Sequence, residues 1–240
     1  MTKTSWVDPI SMKYHLGQWE TVKESTKHFS QFIQNKLNNE DYLEIGCGAG
    51  APSYFIAKQN PECNFIAADN DKDLINFARS NLAKQNIQIK NLHFETDDWF
   101  NLKVRKNIDG VISMQTISWI EEYKTPMKEI FNKINPNWIA ISGLFYEGDI
   151  DCKTEVTENQ KKRNVFYNTY SIPSFDRFCK EYGYKVTQVK CFDIDIDIEK
   201  PKNSNIMGTY TQKVLDGAVE RNLQISGPLL LNWKFLLVEK

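Results

Sequence analysis

Three glycines spaced two apart follow a short apolar run and an acidic residue in segment 42–50, YLEIGCGAG. The pattern predicts a strand that runs into a tight turn, because glycine has no Cβ, adopts positive φ and lets a ligand touch the backbone. A helix is expected from about Ala51, and Pro52 is tolerated in its first turn because the missing N–H has no intrahelical partner there. The turn indicates a nucleotide-binding site, and a turn that serves only packing is the alternative.

A second acidic residue, Asp69, closes the apolar run 64–68 about one βα unit later. A carboxylate at that strand end accepts hydrogen bonds from both ribose hydroxyls of an adenosine. The spacing is G-x-G-x-G rather than the dinucleotide spacing G-x-G-x-x-G, so no pyrophosphate needs to be bound. Segment 44–50 resembles the first motif, [DE]-x-G-x-G-x-G, of the class I methyltransferases that depend on S-adenosyl-L-methionine (SAM).

The resemblance implies SAM as the cofactor and S-adenosyl-L-homocysteine (SAH) as the product. Segment 96–99 resembles the adenine-binding turn of that family, with Asp97 as acceptor from the adenine amino group and the backbone N–H of Asp98 as a further contact; an acidic surface turn is the alternative. The end of the fourth strand is expected to face the methionine half. The implied cofactor-binding residues are Glu44, Gly46, Cys47, Gly48, Asp69, Asn70, Asp97, Asp98, Trp99, Met114 and Gln115.

Strand and helix patterns alternate through the first two thirds of the chain, which predicts a doubly wound, mostly parallel α/β sheet. The resemblance implies seven strands in the order 3-2-1-4-5-7-6, with strand seven antiparallel. We expect a single domain over residues 1–240. It consists of a helical lid (1–40), a SAM-binding core (41–145), and a substrate-side insertion with the last strands (146–240).

The last two strands are predicted at 184–198 and at 229–238, the latter together with 208–214. Within the former, segment 192–198 alternates isoleucine with three aspartates, Asp193, Asp195 and Asp197. Neighbours on one face of a strand lie about 6.6 Å apart, whereas oxygen ligands lie about 2.1–2.6 Å from magnesium or calcium. We therefore interpret the aspartates as a solvated or edge-protecting face and expect no metal site.

The segment 11–37 predicts one or two helices. The density of aromatic and polar side chains in 18–29 indicates a lid over the cofactor and substrate, and a plain amphipathic cap is the alternative. Tyr14 and Trp19 are the lid candidates. His15 and His28 are the candidate general bases for the acceptor, while His93 is interpreted as a packed or rim residue. Tyr146 and Glu147 lie in the insertion 145–170, where we expect the acceptor pocket, and are weaker base candidates.

Charge and cysteine usage exclude several classes of protein. The net charge of −1 over 240 residues leaves no basic footprint for nucleic acid or an anionic membrane. Five cysteines without a C-x-x-C pair fit reduced thiols. No apolar stretch is long enough to span a bilayer, and the start lacks a signal-peptide core. A cytoplasmic enzyme is expected, and the sequence makes no prediction of its oligomeric state.

The expected reaction is methyl transfer to a small-molecule or sugar acceptor by in-line displacement, which depends mainly on positioning. A hydroxyl acceptor is the first expectation, and a nearby base would take its proton. The lid and tail also resemble, loosely, methyltransferases of bacterial surface-sugar pathways. The alternatives are an N-methyltransferase and a SAM-binding module without turnover.

Overall fold

Two helices precede the first strand in the computed structural model, which describes residues 9–159, 162–203, 207–216 and 218–240. They are α1 (Pro9–Glu20) and α2 (Glu24–Ile33), and a 3₁₀ turn at Gln34–Lys36 follows. Phe29 and Ile33 are fully buried, so α2 packs one apolar stripe against the core. The helices expected ahead of the first strand are confirmed.

The central part of the chain alternates strands and helices as the sequence predicted. The helix after the fourth strand continues into a π turn at Ile130–Ile134 and ends at Asn135, whose φ of 55° closes it. The elements are β1 (Asp41–Ile45), α3 (Ala51–Gln59), β2 (Asn64–Asp69), α4 (Lys72–Lys84), β3 (Leu92–Thr96), β4 (Ile108–Met114), α5 (Lys124–Glu129) and β5 (Trp138–Tyr146).

The remainder of the chain supplies further strands and one helix. The insertion expected at 145–170 contains a two-stranded hairpin and a short strand beside β5. The elements are β6 (Glu155–Glu158), β7 (Arg163–Phe166), β8 (Thr169–Ser171), α6 (Ile172–Lys180), β9 (Lys185–Cys191), β10 (Thr209–Asp216), β11 (Val219–Ser226), β12 (Leu229–Leu230) and β13 (Trp233–Glu239).

The main sheet has the strand order β3-β2-β1-β4-β5-β13-β9, with β8 paired to β5. β13 is antiparallel to both of its neighbours, and the other pairs are parallel. The predicted doubly wound sheet and its order are therefore confirmed. Helices α2 to α4 cover one face and α5 and α6 the other. The parallel strands end at one common edge, called here the carboxyl edge, where ligands of such sheets bind.

The predicted sixth strand was too long. β9 ends at Cys191, and the Phe192 N–H makes the last bond to β13, through the Trp233 carbonyl. Because β13 itself begins at Trp233, no strand of the main sheet in the described ranges pairs with the chain beyond this point. The alternating aspartates are therefore not a strand face; two of them pair with exposed cations, Asp193 with Arg221 and Asp197 with Lys213.

The predicted seventh strand is split between two sheets. Residues 229–230 form β12, which pairs with β11 in a separate antiparallel sheet that also contains β10. The chain changes sheets at Leu231 and Asn232, where the Leu231 N–H still bonds to Gln224 and the Asn232 carbonyl already accepts from Phe145. Only β13 belongs to the main sheet. Among the helices of the described ranges, none combines the length and apolar character that crossing a membrane requires.

Candidate active site

The glycine turn after β1 has one open position and two crowded ones. All three glycines have positive φ, and a Cβ at Gly50 would overlap the Phe94 ring. A Cβ at Gly46 would overlap the Thr116 side chain, whereas at Gly48 it would meet nothing within 4 Å. Packing therefore accounts for Gly46 and Gly50, and the space above Gly48 is open to a ligand that approaches the backbone.

The Asp69 carboxylate at the end of β2 is anchored on that turn. One oxygen accepts from the Gly48 N–H at 2.8 Å and the other from the Asp71 N–H at 2.9 Å. Burial raises the pKa of Asp69, and the backbone donors partly offset this. Each carboxylate oxygen keeps a further lone pair, so the group can still accept from a ligand hydroxyl.

The other motif acid, Glu44, is 3% exposed inside β1. Burial raises its pKa to about 7; the Ser53 hydroxyl lowers it, and the negative charge of Asp69 raises it further. Its neighbour in the turn, Cys47, is also buried, and burial raises the pKa of that thiol well above its ordinary value. A nearby positive charge, such as that of a bound cation, would favour the ionised form of Glu44.

The turn after β3 holds Asp97 within a network of donors. Its buried carboxylate pairs with Arg105 at 2.6 Å and accepts from the Asp98 N–H at 2.9 Å. The predicted adenine contact through that N–H therefore competes with an existing bond. Trp99 is buried in the apolar layer beneath α5, and Asn70 is exposed at the carboxyl edge. Sequence reasoning missed Arg105, which has no local signal because its partner precedes it by eight residues in a different element.

The end of β4 closes on the glycine turn through a residue that sequence reasoning missed. Met114 is buried, and Gln115 has φ 56° with its N–H bonded to the Ser142 carbonyl at 2.9 Å. The Thr116 hydroxyl lies 3.1 Å from the carbonyl oxygens of both Gly46 and Met114. This contact joins the first and fourth strands where the cofactor is expected.

Helix α1 lies against the glycine turn. The Trp19 indole N–H donates to the Ala49 carbonyl at 3.0 Å, and its ring stacks on Tyr54 with centroids 5.2 Å apart. Tyr14, which precedes Trp19 in the same helix, is exposed and contacts Lys23. The lid segment is therefore next to the predicted cofactor site.

The two candidate bases lie at opposite ends of the sheet. The buried His15 ring packs near Phe77 of α4, 6.5 Å between centroids, and α4 covers β2 and β3. The His28 ring meets Phe192, just beyond β9, edge-on at 5.4 Å. Because β9 and β3 are the two outer strands of the ordered path, the histidines do not converge on one acceptor atom.

An ion pair and an aromatic pair are among the contacts on the predicted acceptor side. Glu147 contacts Lys234 of β13 at 2.6 Å, and Tyr146 is exposed beside it. The Trp119 and Tyr167 rings pack at a 60° tilt, with centroids 4.4 Å apart. Their loops are joined by the fully buried Asn168, whose amide donates to the carbonyls of Ile120 and Glu121.

Sequence reasoning also missed Lys234, although a single lysine within the apolar run 229–238 is a readable signal. Across the described part of the chain, no group of three or more His, Cys, Asp or Glu side chains is arranged to hold a metal ion.

Comparison with known proteins gives a family and several relatives. A family model described as "Methyltransferase domain" matches residues 36–213. Malonyl-[acyl-carrier protein] O-methyltransferase of Priestia megaterium is 20% identical over 190 residues, covering 72% of this chain and 68% of the relative. The tRNA (guanine-N(7)-)-methyltransferase of Bacillus velezensis is 27% identical over 210 residues, covering 86% and 80%.

Solved structures share the fold at low identity. Magnesium protoporphyrin IX methyltransferase from Synechocystis PCC 6803, with bound SAH, matches with a TM-score of 0.58 at 11% identity. It covers 99% of this chain and 90% of that one. Some matching structures are longer, and the chain spans about half of one of them, 51% of its length.

Proposed function

The chain belongs to the methyltransferase-domain family, and from that premise we propose that it transfers a methyl group from SAM to an oxygen atom of a small-molecule acceptor. It is a SAM-dependent enzyme, and the cofactor supplies an electrophilic methyl group on a sulfonium. The finer assignment of an oxygen acceptor is supported by the likeness to an O-methyltransferase.

The observation that carries the proposal is the fixed carboxylate of Asp69 over an open glycine turn. The ring of an adenosine ribose fits there, because Asp69 keeps lone pairs for both hydroxyls while its two backbone donors hold it in place. The open face of Gly48 admits the ligand to the backbone. The residues present therefore fit the cofactor.

The remaining roles of the chain are positioning, exclusion of water and removal of a proton. Trp19 holds α1 on the turn, where the helix would shield the reacting atoms from solvent. A hydroxyl acceptor loses its proton as the new bond forms. We propose that His28 rather than His15 is the base that accepts this proton. His28 contacts Phe192, which lines a cavity beside β9 and β11.

A nucleic acid is the second candidate acceptor, since one relative acts on tRNA. The net charge of −1 disfavours it, because phosphate contacts need a surplus of lysine and arginine. A nitrogen acceptor in a small molecule is a further alternative, since a neutral amine needs little beyond positioning.

The test measures conversion of SAM to SAH by the purified protein with a cell extract as the source of acceptor, and the methylated product is identified by mass. The proposal expects SAH formation that survives ribonuclease treatment of the extract, and a product methylated on oxygen. Loss of turnover after ribonuclease would instead establish a nucleic-acid acceptor. The variant His28→Gln should lower kcat while the dissociation constant of SAH stays unchanged.

A further inference from the structure

A buried lysine lies at the acceptor side of the carboxyl edge. Lys234 stands between two core aromatic residues of β13 and is 1% exposed, and no other lysine in the described ranges is buried. Lysine is almost never fully buried unless it is paired. Its ammonium contacts Glu147 Oε1 at 2.6 Å, Cys191 Sγ at 3.3 Å and Asn232 Oδ1 at 3.5 Å.

The carboxylate that pairs with Lys234 comes from an exposed loop. The side chain of Glu147 is 63% exposed, in contrast to 2% for Lys234. The hydrogen bond from Lys234 holds the pKa of Glu147 below its ordinary value, and the charge of Arg221 adds to this effect. Glu147 is therefore an anion on an exposed loop, in the field of two cations.

A cavity lies beside this pair. Its volume is about 40 Å³, room for about three waters, which is also the number of heavy atoms in a carboxylate group. Two of the three partners of Lys234, Cys191 and Asn232, line it, and so do Arg221 and its ion-pair partner Asp193, 3.0 Å apart. Lys234 is thus in direct contact with two residues of the cavity wall.

The distance to the reaction centre suits a small acceptor. Lys234 pairs with Gly143 of β5, and the adjacent Ser142 pairs with Met114 at the end of β4. Two strand spacings of about 4.8 Å separate Lys234 from β4, which gives roughly 10 Å. This backbone separation is short enough for a small molecule to extend from a carboxylate at Lys234 toward the end of β4, where the methionine half of the cofactor is expected.

We propose that Lys234, assisted by Arg221, binds a carboxylate of the methyl acceptor, and that Glu147 occupies this position when the acceptor is absent. This inference rests on the proposed function and adds the chemical class of the substrate. A carboxylate is favoured over other anions because the internal group already seated on Lys234 is a carboxylate.

The experiment titrates succinate, and separately inorganic phosphate, into the protein saturated with SAH, by isothermal titration calorimetry. In Glu147→Gln the internal competitor is gone, so succinate should bind at least about tenfold more tightly than to the wild type. In Lys234→Met the succinate affinity should be lost. Lys213→Met is the matched control: it removes an exposed, ion-paired lysine of the adjacent small sheet and should leave the affinity unchanged.

Two results would overturn the inference. One is a Glu147→Gln protein that binds SAH normally but binds succinate no better than the wild type; the other is phosphate binding more tightly than succinate. If Lys234→Met does not fold, Arg221→Gln in the Glu147→Gln background is tested in its place, and this change should lower the affinity for succinate at least about threefold. Failure of the wild type to bind SAH would instead refute the proposed function.

Discussion

Replacing Asp69 with alanine should lower both the stability of the protein and its affinity for SAH. Its carboxylate bridges the end of β2 to the glycine turn through the N–H groups of Gly48 and Asp71. A hydrogen bond to a charged acceptor contributes about 1.5–3 kcal/mol, so two contribute roughly 3–6 kcal/mol. Burial of the carboxylate, which raises its pKa, offsets part of this. We expect the free energy of unfolding to fall by about 2–4 kcal/mol, which lowers Tm by roughly 5–15 °C.

The effect on the cofactor is separable from the effect on stability. Loss of both ribose hydrogen bonds should cost on the order of 3 kcal/mol, more than about a hundredfold in affinity. Asp71→Ala is the matched control. It removes the N-cap of α4, whose carboxylate accepts from Asp73 and Leu74, and should cost about 1 kcal/mol of stability. Its affinity for SAH should stay at the wild-type value.

Urea unfolding followed by circular dichroism gives the stability, and calorimetry at a temperature where each variant is folded gives the affinity. Wild-type affinity in folded Asp69→Ala would refute the ribose assignment. Wild-type stability in the same variant would show that the bridge to the glycine turn contributes nothing.

Three further predictions concern the same turn. The pKa of Glu44 lies at about 7 against an ordinary 4.5, so the folded state holds a proton that the unfolded state releases. The contribution of Glu44 to the free energy of unfolding therefore falls as pH rises from about 4.5 to 7. Between pH 4.5 and 7, the free energy of unfolding of Glu44→Gln, measured with urea, should rise relative to that of the wild type by up to about 3 kcal/mol. Parallel curves of unfolding free energy against pH for the two proteins would contradict this. Gly50→Ala should lower the free energy of unfolding by more than about 2 kcal/mol, because the new Cβ overlaps the Phe94 ring at a positive φ. The control Gly17→Ala, in α1, should raise it by about 0.5–1 kcal/mol. Equal melting temperatures of the two variants would disprove this. Trp19→Phe keeps an aromatic ring but loses the indole donor, and should lower the free energy of unfolding by about 1 kcal/mol; no change would mean that the bond to the turn is not formed in solution.

The predictions for the core depended on local patterns. The glycines and the acid of segment 44–50, together with Asp69 at a strand end, predicted the position of the turn, and the family resemblance that they carry implied the sheet order; the structure confirms both. Such patterns are readable because strand alternation, helix periodicity and glycine conformations are set within a few residues of chain. The assignment of individual contacts to the cofactor stays a prediction.

The patterns were less reliable near the end of the chain. Segment 192–198 alternates as a strand would, yet it leaves the sheet because its neighbour β13 begins only at Trp233. The apolar run 229–238 reads as one strand but divides between two sheets at Asn232. In both cases the sequence determined a local preference, and the availability of a pairing partner decided the outcome.

By itself the sequence thus determined the elements of the core, the glycine turn and the two acids at strand ends. Only the tertiary structure decided what surrounds Lys234, because Glu147 and Cys191 reach it from strands and loops far away in the chain, and Asn232 bonds to Phe145 from 87 residues away. It likewise separated His15 from His28, which share one short N-terminal segment but pack at opposite edges of the sheet. Long-range pairing depends on which surfaces the whole fold leaves uncovered, and no window of neighbouring residues contains that information.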